Sequence, residues 1–185
     1  DEIIVNYDPY KFLGLEAAYK YGNEDKERDL DESITAKIDE KKLRLKFLPI
    51  SHITIQPGYE IYNKRSSLLT ENSKDIKKYS SFSFEPFNRL RLNLNLNDTT
   101  QENPETSIIQ SETKSKSLSI QYHPYERVTS IFQADTSRTE NPTTDSYTRT
   151  NTLSTSTDVD VTSYLNIVYR NSVQNMEGSS ELSSS

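Results

Sequence analysis

Apolar and polar residues alternate with a period of two along most of this 185-residue chain. In the clearest run, Leu90, Leu92, Leu94 and Leu96 are separated by arginine and asparagine residues. Successive side chains of a strand point to opposite faces, so this run predicts a strand with one apolar face and one polar face. A helix would distribute the same leucines around its whole circumference.

The same alternation recurs in seven further segments. Its apolar positions are Leu13, Leu15, Ala17, Tyr19 and Tyr21; Leu43, Leu45 and Phe47; Ile53, Ile55, Tyr59 and Ile61; Phe82 and Phe84; Leu118, Ile120 and Tyr122; Val128, Phe132 and Ala134; Val159 and Val161. Ile34, Ala36 and Ile38 are out of step with the run that follows them, which predicts a β-bulge within Asp39–Lys42. We therefore predict an all-β, antiparallel, up-and-down meander of about 8–10 long strands over residues 1–171, with a flexible, Ser-rich tail over 172–185.

A short phrase that contains proline and an aromatic or apolar residue recurs four times. Its prolines, Pro9, Pro49, Pro86 and Pro124, are spaced by 40, 37 and 38 residues, which predicts one β-hairpin used repeatedly. We expect these prolines in tight turns between strands, where no ladder needs their missing N–H. Pro57 lies inside an alternating run and should mark a bulge, an edge or a strand end. Long polar loops are expected at the opposite rim, over Gly22–Ser33, Asn63–Lys77, Asn97–Lys116 and Asp135–Thr148.

The composition is too polar for a thick, dry core. Only 32% of residues are apolar and tryptophan is absent, yet there are twelve tyrosines and six phenylalanines. The absence of cysteine excludes disulfides and thiolate metal sites. The net charge of −6 comes from interspersed charges without a basic stripe, which argues against a nucleic-acid partner. No apolar run is long enough for a transmembrane helix.

Something apolar must cover the apolar faces of these strands. Transmembrane β-barrels use strands of about ten residues, apolar outside and polar inside, with short turns at one rim and long loops at the other. Aromatic residues beside the proline turns would then form an interfacial girdle; they are Tyr7, Tyr10, Phe87, Tyr122 and Tyr125. A water-soluble β-sheet binding module, built as a sandwich or a lipid-binding groove, is the alternative.

The pattern over Glu2 to Arg170 resembles bacterial outer-membrane β-barrels, and Phe82–Leu92 resembles hairpins of the translocon barrel of the type 9 secretion system. The resemblance implies a location in the bacterial outer membrane and a passive role as a pore, a translocation conduit or a structural component of an envelope complex. It implies the lipid bilayer as partner, together with other barrel strands or complex subunits. Because the sequence shows no nucleophile elbow, phosphate loop or zinc-spaced ligand set, we expect neither enzymatic activity nor a cofactor or metal. The meander is expected to form a transmembrane β-barrel or part of a larger barrel, and the partial strand at each end favours the second.

Each strand face has an expected environment. The residues expected to face lipid are Leu13, Leu15, Leu43, Leu45, Phe47, Phe82, Phe84, Leu90, Leu92, Leu94, Leu96, Leu118 and Ile120. The residues expected to face a lumen are Arg44, Lys46, Arg89, Arg91, Asn93 and Asn95. Pro9, Pro49, Pro86 and Pro124 are expected in periplasmic turns.

The chemistry of the polar face leaves two alternatives open. The four basic residues predicted in the lumen are expected to converge near the proline turns and to favour anionic solutes. Alternatively, they form an internal ion-pair network with Glu16, Glu85 and Glu126. His52 and His123 lack a nucleophile elbow and belong to different repeats, so a turn or solvent-facing role is expected. The acidic segment 24–32 lacks the spacing of a calcium loop and is expected to be a solvated loop.

Overall fold

Ten antiparallel β-strands form one sheet in the computed structural model of this chain, which describes residues 1–27, 33–66, 72–162 and 164–179. The strands are β1 (Glu2–Tyr10), β2 (Leu13–Glu27), β3 (Ser33–Ile50), β4 (Ile53–Ser66), β5 (Ser73–Phe87), β6 (Leu90–Glu102), β7 (Ile109–Tyr125), β8 (Val128–Asn141), β9 (Ser146–Thr162) and β10 (Leu165–Ser179). Their spatial order equals their sequence order. The predicted antiparallel meander is confirmed.

Each strand pairs only with its neighbours in the chain, so the sheet has two open edges. Over the described residues β1 pairs with β2 alone and β10 pairs with β9 alone. No helix in the described part of the chain is long and apolar enough to span a membrane. The described chain therefore folds as one sheet, and the residues on its two faces are the candidates for a functional surface.

The register of β3 and β4 corrects two of the sequence predictions. β2 and β3 pair without a shift from Leu13 opposite Phe47 to Glu27 opposite Ser33, so the bulge predicted within Asp39–Lys42 is wrong. Pro57 marks neither a bulge nor a strand end, because it lies inside β4 and pairs with Ser80 of β5. Its ring removes a donor only on the β3 side, where the ladder is interrupted without a change of register.

The four repeated prolines lie within bulges at strand ends and not in the turns themselves. In the first hairpin, Tyr7 pairs with Leu15 and Tyr10 with Leu13, so three steps along β1 match two along β2. The same shift recurs at Pro49, Pro86 and Pro124. A bulge leaves one residue outside the ladder, which is where proline is tolerated in a sheet. The bulge also puts the residue after each proline on the apolar face.

A fifth hairpin has the same geometry without a proline. β9 and β10 show the same register shift around Asp160, Val161 and Thr162. Val161 lies 37 residues after Pro124 and occupies the position of proline in the repeat. The sequence analysis missed this repeat because it relied on proline, although the spacing of 37 residues would have found it.

The predicted long loops are mostly strand. At the rim opposite the prolines, β6 continues to Glu102 and β7 begins at Ile109, so the connection is Asn103–Ile108. The β8–β9 connection is Pro142–Asp145, where the Asn141 side chain accepts from the backbone N–H of Thr143 at 3.0 Å. Polar residues pair their backbones as well as apolar ones do, so the hairpins extend as polar strands where loops were predicted.

The end of the sheet is also further along than predicted. The boundary drawn after residue 171 falls within β10, which pairs with β9 as far as Ser179 opposite Tyr147. The predicted tail is therefore wrong for residues 172–179, and 180–185 lie outside the described residues. Mixed polar sequence concealed this strand, because its pairing depends on backbone hydrogen bonds to β9.

The described residues form almost no core. Ala36 is the one buried apolar residue and Asn72 the one buried polar residue among them. The accessible surface is 13507 Å², whereas a compact monomer of this mass would expose about 9100 Å². A single sheet leaves both of its faces uncovered. Its apolar face therefore requires a lipid or protein layer over it for the fold to be stable.

Candidate functional site

One face of the sheet is apolar across its width. Directly paired residues of neighbouring strands share a face, so the register defines a row that crosses nine strands. The row runs through Leu13, Phe47, Ile55, Phe82, Leu94, Leu118, Ala134, Leu153 and Val173. All thirteen residues predicted to face lipid lie on this face, which we call the apolar face. That they contact lipid stays a prediction.

No other part of the described chain covers the apolar face. Leu43 exposes 49% of its surface, Leu153 48% and Val173 63%. Side chains of this size are mostly buried in folded proteins, and soluble monomers rarely expose large contiguous apolar patches. A covering medium or partner for this face is therefore the first requirement of the structure.

Aromatic residues are exposed along the rim that carries the proline bulges. Tyr7, Tyr10 and Phe87 expose 61%, 61% and 52% of their surface, and Tyr125 exposes 72%. The Tyr10 ring stacks on Phe12 with centroids 5.2 Å apart. The expected girdle residues therefore lie together at one rim, where their rings project from the sheet.

The opposite face, which we call the polar face, holds most of the predicted lumen residues. Arg44, Lys46, Arg91, Asn93 and Asn95 lie on it, because they alternate with the leucines of the apolar face. Arg89 does not: it lies in the β5–β6 turn, and its Nη1 donates to the Pro124 carbonyl at 3.2 Å. The sequence analysis extended the strand one residue too far, into a two-residue turn.

The predicted convergence of the basic residues is also wrong. Arg44 lies on β3 in register with Gly58 and Tyr79, and that row reaches β6 at Asn97. Arg91 lies on β6 six residues nearer the turn, about 20 Å along the strand. The bulges and the stagger between strands separate residues that looked equivalent in the sequence.

The polar face of β2 to β5 is charged and internally paired. Arg44 Nη1 lies 3.5 Å from Glu16 Oε2, and Arg44 Nε donates to the Tyr79 hydroxyl at 3.2 Å. Lys42 Nζ lies 2.8 Å from Glu60 Oε1. Long, oppositely charged side chains therefore lie beside one another on this part of the polar face.

A further ion pair lies close to the proline rim. Arg91 Nε lies 2.5 Å from Glu85 Oε1, so two of the three predicted ion-pair acceptors, Glu16 and Glu85, hold arginines. Glu126 lies in the β7–β8 turn and makes no ion pair within the described ranges. The ion-pair alternative is therefore supported on both β3 and β6.

The polar face of β7 to β9 has a different character, which the sequence analysis missed. β7 and β9 present hydroxyl groups at almost every second position, and the signal was visible as alternating serine and threonine. These residues are Ser111, Thr113, Ser115, Ser117 and Ser119 on β7, and Thr148, Thr150, Thr152, Ser154 and Ser156 on β9. We call this surface the hydroxyl wall. The hydroxyl side chains are uncharged and short, while Asp135 on β8 and Asp158 and Asp160 on β9 lie on the same face.

In the part of the chain that the structure describes, the two histidines lie in different hairpins. His52 lies in the β3–β4 turn and His123 near the end of β7. His123 Nδ1 lies 3.0 Å from the Thr129 hydroxyl, a contact across one hairpin. The described residues hold no cluster of three or more potential metal ligands. The acidic segment 24–32 lies largely outside the described residues, so its predicted role stays a prediction.

Comparison with known proteins gives distant structural likenesses. No family model and no curated protein matches this chain. The fold is similar to the KdgM porin solved in complex with disordered oligogalacturonate, with a TM-score of 0.39 and 11% identity over 96% of this chain and 88% of that one. It is also similar to the NanC porin in a rhombohedral crystal form, with a TM-score of 0.38 and 10% identity over 98% and 99%. The likeness of Phe82–Leu92 to hairpins of the type 9 translocon stays a prediction.

Proposed function

We propose that this chain is an integral β-barrel protein of a bacterial outer membrane and that it acts as a pore for small hydrophilic solutes. The observation that supports the membrane location is the apolar face, which crosses every strand and is covered by nothing in the described chain. A bilayer supplies that cover. It also requires that backbone groups be paired within the sheet, as these are from β2 to β9 except where Pro57 interrupts the β3–β4 ladder.

The boundaries of the apolar face support the same assignment. On β6 it extends from Leu90 to Leu96, about 20 Å along the strand. The row of Leu96 continues to Lys116, and the next position on β6 is Asp98, paired with Lys78 and Lys114. Charges therefore begin where the leucines end, and lysine stems at that boundary would reach into the headgroup region. Aromatic residues mark the other boundary.

The polar face supports a pore along one side of the lumen. The ion-paired side chains on β2 to β5 occupy space, whereas serine and threonine on β7 and β9 project only a short distance. A water path would therefore follow the hydroxyl wall, with the arginines and glutamates filling the opposite side.

The first experiment tests the membrane location. The chain is refolded in detergent micelles and in vesicles, and its migration on a gel is compared before and after boiling. A membrane barrel migrates at a different apparent mass until it is boiled, and it remains in vesicles after an alkaline wash. A monodisperse, cooperatively folding protein without detergent would overturn the proposal in favour of a soluble β-sheet module.

A second measurement tests the pore. Single-channel conductance is recorded in planar bilayers for the natural sequence and for a variant in which Ser117 and Ser154 of the hydroxyl wall are replaced by Phe. We expect a conductance that falls in the variant. Stable insertion without conductance would overturn the pore and leave a structural barrel.

A further inference from the structure

We propose that the two open edges of the sheet pair with each other, β1 against β10, in one specific register, so that the chain closes as a ten-stranded barrel. The two strands run in opposite directions, since one is the first and the other the tenth of a meander. Antiparallel pairing is therefore possible without any new connection. The register follows from a hydrogen bond that repeats along the rim.

Each turn at the proline rim accepts a hydrogen bond from the next hairpin. The acceptor is the backbone carbonyl of the second residue of one two-residue turn. The donor is the backbone N–H on the following hairpin, four residues before the second residue of that hairpin's own turn. Four such bonds are present: Leu48 to Phe12 at 2.8 Å, Glu85 to His52 at 2.8 Å, His123 to Arg89 at 2.8 Å, and Asp160 to Arg127 at 2.9 Å. The fifth turn would continue the series with a bond from Asp8 N–H to the Tyr164 carbonyl.

The hairpins are equivalent in their internal register as well. Tyr7 with Leu15, Phe84 with Leu92 and Val159 with Ile167 occupy the same positions relative to their turns. Each step from one hairpin to the next displaces a row of paired residues by the same two positions, so the four observed steps give a stagger of eight residues. The proposed seam would be the fifth step and would bring the total stagger to ten. This regularity fixes where the last strand meets the first.

A stagger of ten residues is suitable for closing ten strands. Strand tilt depends on the ratio of stagger to strand number, and a ratio of one gives about 36° in eight-stranded barrels. Transmembrane barrels have tilts of about 35–45°. The repeated step seen in the open sheet is therefore the step that a closed barrel of this strand number needs.

The same register brings complementary side chains together. It places Glu2 opposite Arg170 on the polar face, and neither has an ion-pair partner among the residues that the structure describes. It places Ile4 opposite Val168, and on the apolar face Val5 opposite Ile167. These residues were not used to derive the register, so their agreement is an independent argument for it.

The seam would satisfy the backbone where lipid surrounds it. Pairing Glu2–Asp8 with Tyr164–Arg170 covers the part of β10 that carries Leu165, Ile167 and Tyr169 on the apolar face. The remainder of β10, 172–179, lies further from the proline rim than the leucines of β6 do, and apart from Val173 and Met176 it has no large apolar side chain, so water can pair its free backbone groups. Closure thus protects the backbone at the depth where an open edge is not tolerated.

The test uses disulfide cross-linking, which the absence of native cysteine makes clean. Ile4→Cys is combined in turn with Val168→Cys, Asn166→Cys and Arg170→Cys in protein refolded in vesicles. The three partners lie on the same face and differ by two residues, about 7 Å, whereas a disulfide needs Cα atoms about 4.4–6.8 Å apart. We expect rapid intramolecular cross-linking for the Val168 partner and at least tenfold slower reaction for the other two.

Every other result overturns the proposal. Faster reaction at Asn166 or Arg170 would show a different stagger, and cross-linked dimers would show that the edges meet in a second copy. Failure of all three pairs would show edges completed by other strands. The inference rests on the proposed membrane barrel, but heat-modifiable migration of the same samples reports that function separately. A folded, inserted protein without the expected cross-link would refute closure alone.

A charge exchange tests the Glu2–Arg170 contact. Glu2→Arg and Arg170→Glu should each lower the temperature at which the folded band disappears, and the double exchange should restore it. Lys20→Glu is the matched control, because Lys20 is the neighbour of Glu2 on the other side. Additive effects of Glu2→Arg and Arg170→Glu would contradict the pairing.

Discussion

At the scale of single residues, Tyr79 shows how the polar face is held in place. Its ring lies over Gly58 of the neighbouring strand, where a Cβ atom would come within 2.2 Å of the ring. Its hydroxyl accepts a hydrogen bond from Arg44, and the Lys77 ammonium lies 5.6 Å from the ring centroid. Because Gly58 has no side chain, the Tyr79 ring can lie over it, and the Tyr79 hydroxyl then orients Arg44 on the polar face.

Replacing Gly58 by alanine tests this packing. We expect Gly58→Ala to displace Tyr79 and to cost about 1–3 kcal/mol, as overpacking does elsewhere, measured from urea unfolding in micelles. Gly22→Ala is the matched control, because nothing lies within 4 Å of its Cβ position. In a Tyr79→Ala background the cost of Gly58→Ala should vanish, and an unchanged cost would show that the ring is not responsible.

Asp75 lies on β5 opposite Gln101, beyond the leucines of β6, and the ionisation of its carboxyl group makes a pH test of stability possible. Burial raises the pKa of its carboxyl group, while a hydrogen bond with Gln101 lowers it, and Oδ1 has no hydrogen-bond partner among the described residues. An acid whose folded pKa is raised destabilises the fold once it is ionised. That cost fades as the pH falls through the folded pKa and is absent below the unfolded value of about 3.9.

Asp75→Asn should therefore raise the unfolding temperature at pH 7, and the gain should disappear near pH 3. The measurement is a pair of melting curves at each pH, so that effects common to both proteins cancel. Asp135→Asn, which loses a carboxylate that accepts from Gln133 at 2.8 Å, should bring no gain at pH 7. A pH-independent gain for Asp75→Asn would exclude ionisation as its cause.

At the scale of elements, the repeated unit is a hairpin with a bulge before a two-residue turn. Proline occupies the bulged position four times and Val161 once. The bulge puts residues on both sides of it on the apolar face, which concentrates aromatic side chains at the rim. Proline is therefore a preference of this position and not the cause of its geometry, since the fifth hairpin forms without it.

Val161→Pro tests whether the position accepts proline. We expect a gain of about 0.4–1 kcal/mol, because the unfolded chain loses freedom and no ladder bond is lost. Val159→Pro, two residues earlier and paired with both Val128 and Ile167, should instead cost at least about 1 kcal/mol. Both are measured by denaturant unfolding, and equal losses would show that Val161 is an ordinary ladder position.

At the scale of the whole molecule, the described part of this single-layer protein has almost no core to stabilise it, and its stability depends on the surroundings of its two faces. The apolar face requires an external medium, and the polar face is built to remain hydrated. Stability therefore depends on where the molecule is placed, since the same exposed leucines that destabilise it in water stabilise it in a bilayer.

Arginine substitutions on adjacent residues test this division. Leu94→Arg, in the middle of the apolar row, should cost about 2–4 kcal/mol in a bilayer and should lower the folded fraction in vesicles. Asn95→Arg, one residue away on the polar face, should be tolerated. The folded fraction is read from unheated gels after refolding, and equal effects of the two substitutions would contradict the assignment of the faces.

The sequence determined which side chains share a face. The period of two in Leu90, Leu92, Leu94 and Leu96 is a local property, because alternation reflects directly what covers each side of a strand. Proline spacing likewise gave four of the five hairpins.

Only the tertiary structure decided how the strands align. In the structure, Arg89 lies in a turn and not on the polar face, and the prolines lie in bulges. The polar strands extend to Glu102 and Ser179, and the charged residues of β2 to β5 lie apart from the hydroxyl wall. These features depend on backbone hydrogen bonds between strands, which any side chain permits. Pairing of that kind leaves little trace in the order of polar residues along the chain.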